Sequence, residues 1–225
     1  MCSFRRYFSR LIFYFFLLYF IKSSLFIRKS YWLYRVLNNL RETLQPALEK
    51  MGRGFASTGL SPTFWTVVGL VFALVSAVVY GLGIEFGLII GGVLLLVSGF
   101  FDMVDGQVAR VTGKTSRKGS YFDSMFDKIA ETAIFLGILI GGYAEPYIVL
   151  LAITLSLLVS YARAKSDALN LKLQGVGIGE RAERLLVIAI IGIIGYMEYA
   201  VIIVVIIAGI TLIQRMIVTA KNITD

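Results

Sequence analysis

The sequence predicts an all-α integral membrane protein, with six transmembrane helices preceded by an amphipathic helix in the membrane interface. Of its 225 residues, 58% are hydrophobic and only 16% are charged. The apolar residues are gathered in runs close to the roughly 20 residues that a membrane-spanning helix needs. Between these runs, Lys and Arg fall in only a few connections, which is typical of the cytoplasmic loops of membrane proteins.

The first segment, residues 1–32, is predicted to be a basic and apolar extension. Its apolar core, residues 11–21, has basic residues on both sides and no small-residue cleavage site behind it, unlike a signal peptide. The core is also shorter than the about 20 residues of a span. We therefore expect an interfacial or loosely attached helix here and not a seventh span.

Residues 33–60 are predicted to form the amphipathic juxtamembrane helix. Apolar residues recur every three or four positions and polar residues fill the other face, a period that indicates a helix with one apolar stripe. The apolar positions are Leu33, Leu37, Leu40, Leu44, Leu48, Met51 and Phe55. Beside membrane spans, such a helix is expected in the interface plane. Gly59 ends the segment, and Ser61 followed by Pro62 is typical of a helix N-terminus.

Residues 61–220 are predicted to form the six-helix membrane domain. Its basic residues gather in two long connections, residues 105–120 and 161–184, whereas the short turns contain no Lys or Arg. Because basic residues favour the cytoplasmic side, both long connections and both chain ends should face the cytoplasm from the cell membrane. The spans are predicted at residues 62–82, 85–104, 121–142, 146–164, 184–196 with one further turn, and 200–219, with turns at 83–84, 143–145 and 197–199.

Four aspartates flank the first basic connection. Asp102 and Asp105 are three residues apart, and Asp123 and Asp127 are four apart, so each pair lies on one face of a helix. Ionisable residues at membrane depth cost about 2.5–3.5 kcal/mol each, and four mutually repelling carboxylates need a cation. Oxygen ligands favour Mg²⁺ or Mn²⁺, and two ions bridged by carboxylates commonly hold a diphosphate. The sequence therefore predicts a two-ion site on the cytoplasmic side.

The residue types that are absent narrow the chemistry further. The sequence contains no histidine and one cysteine, Cys2. This excludes a Cys/His zinc site and nucleophilic catalysis by a Ser-His-Asp or Cys-His set. Any proton transfer must use a carboxylate, Lys or Tyr. The net charge of +8 is explained by topology and anionic headgroups, so no nucleic-acid partner is expected.

Small and basic residues next to the first aspartate pair indicate room for a phosphate-bearing ligand. Gly106 and Ala109 leave open space beside the helix backbone, where a nucleotide could lie. Arg110 would add a charge for phosphate oxygens. A basic loop follows and is expected to cover the same space; it contains Lys114, Ser116, Arg117 and Lys118. A divalent-cation transporter is the alternative of another class, but it leaves Gly106, Ala109 and Arg110 without a purpose.

The spacing Asp-Gly-x2-Ala-Arg-x8-Gly-x3-Asp-x3-Asp resembles the signature of the CDP-alcohol phosphotransferases. It is found here at Asp105, Gly106, Ala109, Arg110, Gly119, Asp123 and Asp127, with Asp102 three residues before it. The resemblance covers about residues 35–220. It implies a metal-dependent membrane enzyme of six helices and a homodimer, which joins a CDP-activated lipid to an alcohol and releases CMP.

The resemblance also implies roles for single residues. By position, Asp102, Asp105, Asp123 and Asp127 bind metal, and Asp127 also takes the proton from the attacking hydroxyl. The residues matched to the CDP-lipid site are Ser61, Pro62, Thr63, Phe64, Gly106, Ala109, Arg110, Ser116 and Gly119. The lipid would be CDP-diacylglycerol or CDP-archaeol.

The second basic connection resembles the inositol-phosphate branch of this family. Ser160, Arg163 and Arg181 match the positions that bind the acceptor's phosphate, which makes inositol 1-phosphate the expected acceptor. A phosphate-bearing acceptor requires cations opposite the metal cluster, and a neutral acceptor would leave them unexplained. Glycerol 3-phosphate requires the same cations, so a phosphatidylglycerophosphate synthase is the alternative within the family.

Overall fold

A computed structural model describes residues 45–171, 173 and 176–223. These residues contain seven helices and no strand. The predicted extension, residues 1–32, and residues 33–44 of the predicted amphipathic helix lie outside the described residues. The chain divides into two compact units, residues 1–48 and 49–225, and the six helices that follow residue 60 belong to the second.

The helices agree with the predicted series in number and order after residue 60. They are α1 (45–56), α2 (Pro62–Gly81), α3 (Gly87–Thr112), α4 (Arg117–Ile140), α5 (Pro146–Ala168), α6 (Arg181–Ile193) and α7 (Met197–Asn222). The predicted turn at 197–199 is wrong. Gly195, with a φ of 94°, lies in the turn instead, because glycine adopts left-handed backbone without a steric penalty.

Four of these helices, α2, α3, α5 and α7, are long and apolar enough to cross a membrane. The protein is therefore a helical membrane protein. α4 does not meet the same criterion because it carries several charged residues, and α6 is only 13 residues long. At 1.5 Å per residue, α6 extends about 20 Å, against a hydrocarbon core of about 30 Å. The count of six spans stays a prediction.

Close packing of α2 against α3 and α4 depends on glycine. A Cβ atom on Gly137 would lie 2.2 Å from the carbonyl oxygen of Ala77, and one on Gly91 would lie 2.6 Å from the ring of Tyr80. Such distances are possible only without a side chain, as at small-residue helix contacts in membranes. These glycines therefore serve packing within the chain.

Two serine hydroxyls also join α2 to α3. Ser76 donates to the carbonyl of Gly91 at 2.7 Å, and Ser98 donates to that of Gly69 at 2.8 Å. All four residues are buried, so each hydroxyl satisfies its donor inside the fold. The two bonds hold the helix that carries Asp102 and Asp105 in register with its neighbour.

Candidate active site

A tight connection brings the two aspartate pairs together. α3 ends at Gly113, whose φ of 64° is left-handed, and α4 begins after Ser116. The Ser116 hydroxyl accepts a hydrogen bond from the Gly119 backbone N–H at 2.9 Å, which is the usual stabilisation of a helix N-terminus. The chain thus reverses within a few residues, and the C-terminal part of α3 meets the N-terminal part of α4.

Three of the four predicted metal ligands form one group. Carboxylate oxygens of Asp102, Asp123 and Asp127 all lie within 4.8 Å of one another. Oxygens on opposite sides of a Mg²⁺ ion are about 4.2 Å apart, twice the metal–oxygen bond length, so these carboxylates can share an ion after small shifts. The geometry and the all-oxygen donor set therefore fit a hard divalent cation.

Asp105 lies outside this three-residue group. Its side chain is buried, and its Oδ2 atom has no hydrogen-bond partner among the described residues. A buried charged oxygen without a partner is costly, and a cation is one way to satisfy it. Asp105 and Asp123 line the same cavity, so Asp105 borders the space next to the three-residue group.

Arg181 contacts the acid cluster directly. Its Nη1 atom lies 2.5 Å from Oδ1 of Asp127 and 3.0 Å from Oδ1 of Asp102. The sequence singled out Arg181 as a ligand for the acceptor's phosphate and did not predict these ion pairs. The other two predicted acceptor residues lie near the end of α5, where Ser160 donates to the Ser156 carbonyl at 3.1 Å and Arg163 is exposed.

A cavity of about 250 Å³ opens beside the cluster, where α2 and α4 begin and α3 ends. Seven predicted CDP-lipid residues line it: Pro62, Thr63, Gly106, Ala109, Arg110, Ser116 and Gly119. Gly106 faces open space, since no atom of residues 45–171, 173 and 176–223 lies within 4 Å of a Cβ placed there. Ser61 and Phe64 are not among the lining residues. Ser61 instead caps α2 by accepting from the Phe64 backbone N–H at 3.2 Å.

The cavity also contains residues that the sequence reasoning missed. These are Thr66, Lys114, Thr115 and Ser120, with Lys114 anticipated only as part of a basic loop. Thr66 lies one helical turn beyond Pro62 and Thr63, so its position on the same face of α2 was available from helical periodicity. The positions of Lys114 and Thr115 in the cavity wall depend on how the chain turns at Gly113.

A second ion pair lies one turn deeper and was also missed. Arg184 donates from Nε and Nη2 to the two carboxylate oxygens of Glu131 at 2.8 and 2.9 Å, and from Nη1 to the Gly179 carbonyl at 2.6 Å. Both side chains are almost completely buried, with exposed fractions of 1% and 2%. The sequence signal for this pair was helical spacing. Glu131 follows Asp127 by four residues and Arg184 follows Arg181 by three, so each lies on the same helix face as its neighbour in the site.

The segment before α6 is held by α7. Arg215 on α7 donates to the carbonyls of Val176 and Val159 at 3.0 and 2.8 Å and lies 3.5 Å from Glu180. A Cβ on Gly177 would lie 2.3 Å from a methyl group on α7. This segment leads directly into the turn of α6 that carries Arg181, so its position determines where that guanidinium lies.

The fold and the site define a helical membrane protein with an acidic cluster that fits a divalent cation, beside a partly basic cavity. The sequence profile of the CDP-alcohol phosphatidyltransferase family matches residues 60–220. The chain belongs to this family and is a transferase enzyme, which confirms the resemblance seen in the aspartate motif.

Known proteins of this kind match over most of the chain. It is 31% identical over 188 residues to the archaetidylinositol phosphate synthase of Pyrococcus horikoshii, covering 84% of this chain and 98% of that protein. It is 35% identical over 140 residues to the phosphatidylinositol phosphate synthase of Streptomyces avermitilis, covering 57% of this chain and 54% of that protein.

Solved structures of the Mycobacterium tuberculosis phosphatidylinositol phosphate synthase share the fold. The structure in complex with manganese and citrate superposes with a TM-score of 0.68 at 24% identity, covering 77% of this chain and 89% of that one. The structure with CDP-DAG bound gives a TM-score of 0.67 at 24% identity, with coverage of 76% and 92%.

Proposed function

We propose that this protein transfers a phosphatidyl-type group, diacylglycerol phosphate or archaeol phosphate, from a CDP-lipid to inositol 1-phosphate and releases CMP. The observation that carries the proposal is the meeting of Asp102, Asp123 and Asp127 within 4.8 Å, next to a cavity lined by the rest of the motif. The names of the relatives from Pyrococcus horikoshii and Streptomyces avermitilis support inositol phosphate as the acceptor.

The four aspartates would hold two Mg²⁺ or Mn²⁺ ions. Bound ions would neutralise the diphosphate and stabilise the oxygen that leaves with CMP. The charges of the site support cation binding, because four carboxylates with the Arg181 guanidinium and the Lys128 ammonium leave a formal charge of −2. The manganese-bound structure of the mycobacterial synthase supports the choice of ion.

The cavity would hold the CDP part of the lipid. Gly106 leaves its wall open for the nucleotide, and Arg110 and Lys114 would bind phosphate oxygens through charge-assisted hydrogen bonds. Thr63 and Thr66 line the opposite wall on α2 and provide hydroxyl groups. The lipid tails would extend from this site into the membrane, with the nucleotide on the cytoplasmic side.

The transfer step requires a base for the acceptor's hydroxyl. That oxygen would attack the phosphorus that carries the lipid, and the P–O bond to CMP would break. Asp127 would take the hydroxyl proton, as the family resemblance implies; its contact with Arg181, the proposed ligand of the acceptor's phosphate, supports this role. Arg181, with Ser160 and Arg163, would bind the acceptor's phosphate. A homodimer is proposed on the family resemblance alone.

The test is release of CMP from purified full-length protein with Mg²⁺ and either CDP-archaeol or CDP-diacylglycerol. Inositol 1-phosphate, glycerol 3-phosphate and free inositol are offered in parallel, and the lipid product is identified by mass. We expect release with inositol 1-phosphate. Release that occurs with glycerol 3-phosphate instead would make the protein a phosphatidylglycerophosphate synthase, and release that is independent of any acceptor phosphate would remove Arg181 from its proposed role.

A further inference from the structure

Arg181 binds the carboxylates that are proposed to bind metal. A single atom, Nη1, contacts Oδ1 of both Asp102 and Asp127, at 3.0 and 2.5 Å. These two residues belong to the three-carboxylate group that fits a divalent ion. The guanidinium and an ion would therefore neutralise the same oxygens, and two cations that share them repel each other.

The backbone of Arg181 is held in place, so that only its side chain is free to rearrange. One turn further along α6, Arg184 is fixed by both oxygens of Glu131 on α4 and by the carbonyl of Gly179. Arg184 and Glu131 are fully packed, with exposed fractions of 1% and 2%. A cation entering the cluster would thus displace the Arg181 guanidinium and not the helix.

The Arg181 side chain has unused donor capacity. Its Nε–H is buried and has no hydrogen-bond partner among the described residues, although a guanidinium presents five donors. A planar guanidinium with free donors binds a phosphate group in a bidentate manner. A phosphate next to the cluster would therefore satisfy the donor that the carboxylates leave unused.

We propose that Arg181 is the resident counter-ion of the acid cluster, that it competes with divalent ions for Asp102 and Asp127, and that it is drawn to the acceptor's phosphate when those ions bind. This inference rests on the proposed function, since it takes the ions and the phosphate-bearing acceptor from it. Metal and acceptor then bind cooperatively. A bound ion releases the Arg181 guanidinium for the acceptor's phosphate, and a bound phosphate draws the guanidinium away from the carboxylates that bind the ion. Cooperativity of this kind is reciprocal.

The test measures Mn²⁺ binding to full-length protein in detergent by electron paramagnetic resonance, with no CDP-lipid present. Wild type is compared with Arg181→Gln, Arg181→Lys and the control Arg53→Gln, which removes the same charge from a side chain that is 73% exposed. Each is titrated with and without saturating inositol 1-phosphate. Size-exclusion profiles and melting temperatures in EDTA check that each variant is folded.

We expect Arg181→Gln to bind Mn²⁺ about tenfold or more tightly than wild type when no acceptor is present. Inositol 1-phosphate should raise the Mn²⁺ affinity of wild type, within the roughly 5- to 150-fold range of coupled sites, and should not change that of Arg181→Gln. Arg181→Lys keeps the charge without the planar fork and should lie between the two. Arg53→Gln should match wild type in both titrations.

Three outcomes would overturn the inference, and they differ in whether the proposed metal site is refuted as well. Equal or weaker Mn²⁺ binding by Arg181→Gln removes the competition, and an unchanged Mn²⁺ affinity of wild type with inositol 1-phosphate removes the coupling; the proposed metal site survives both. If wild type binds no Mn²⁺, the inference and the proposed metal site fail together. If Arg181→Gln is unfolded in EDTA, the comparison is made with Arg181→Lys, whose Mn²⁺ affinity must then exceed that of wild type.

Discussion

At the scale of single residues, aspartates of the same motif have different surroundings. Asp127 contacts Arg181 and belongs to the three-carboxylate group, whereas Asp105 is buried at the cavity with an oxygen that finds no partner in the part of the chain that the structure describes. Identical side chains can therefore take different parts in the reaction. In the proposed reaction the base is Asp127, because it belongs to the three-carboxylate group and contacts Arg181, the proposed ligand of the acceptor's phosphate.

Replacement of Asp127 by Asn should abolish turnover. The amide cannot take a proton, and loss of a general base alone costs about 100- to 10,000-fold in rate. Asp123→Asn should also weaken Mn²⁺ binding, measured as above. Glu198→Gln is the control, because this acid is exposed at the start of α7, away from the cluster. A rate near that of wild type in Asp127→Asn would refute its role as base.

Replacement of Gly106 by Ala should separate stability from substrate binding. No atom of the described residues lies within 4 Å of a Cβ at Gly106 or at Gly99 on the same helix, so both changes should be tolerated. Each should stabilise α3 by about 0.5–1 kcal/mol, since alanine is the better helix former. Only Gly106 lines the cavity, so only Gly106→Ala should raise the KM for CDP-lipid.

Melting curves and initial rates at several CDP-lipid concentrations check this pair of variants. Equal KM values for Gly106→Ala and Gly99→Ala would place the nucleotide elsewhere.

At the scale of elements, α4 and α6 face each other through two successive ion pairs. Arg181 contacts Asp127, and one turn away Arg184 binds Glu131. The first pair is partly exposed, with exposed side-chain fractions of 17% for Arg181 and 23% for Asp127, whereas the second is buried. We interpret the inner pair, Arg184 with Glu131, as the contact that fixes the two helices. The outer pair, Arg181 with Asp127, is the contact that the proposed competition with divalent ions would change.

Replacement of Glu131 by Gln should destabilise the protein by about 3–5 kcal/mol, because it leaves Arg184 charged, buried and unpaired. The double variant Glu131→Leu with Arg184→Met removes both charges and should recover much of that loss. Thermal unfolding in detergent measures both. Activity distinguishes a positioning role from a structural one.

If the inner pair positions Arg181, the double variant should remain stable while its KM for inositol 1-phosphate rises more than its KM for CDP-lipid. Equal changes in the two KM values would contradict that role.

At the scale of the whole molecule, the long connections are predicted to share one membrane face. Among the described residues, four helices meet the length and apolarity of a span, and the predicted six include α4 and α6 as well. α4 begins with the basic loop and the acidic cluster, which explains why it is less apolar than its neighbours. The membrane orientation can be measured independently of activity.

Single cysteines in a Cys2→Ser background should test this orientation. Two cysteines are placed in the basic connections, as Lys118→Cys and Leu169→Cys. Two are placed in the turns predicted on the other side of the membrane, as Ile84→Cys and Tyr196→Cys. All four positions are exposed. A membrane-impermeant maleimide applied to intact cells should label the second pair only. Labelling of all four, or of the first pair, would contradict the six-span topology.

Apolar runs and the Gly and Pro residues between them predicted most of the architecture, because both are local features of the sequence. Pro62 and Pro146 begin α2 and α5 as expected, and Gly59 takes the left-handed φ of 76° that ends the preceding segment. The failure at 197–199 has a local reason too. Apolarity continues through the turn between α6 and α7, so composition gave no boundary there, and only Gly195 marked it.

The sequence by itself determined the class of protein and the chemical type of its site. Apolar runs, the lack of histidine and the fixed spacing of the aspartates with Gly106, Ala109 and Arg110 are local features that need no fold to be interpreted. Tertiary structure alone decided which groups meet. Glu131 pairs with Arg184 and Arg181 with Asp102 across 53 and 79 residues of chain, and contacts between distant residues depend on how helices pack, which no local pattern encodes.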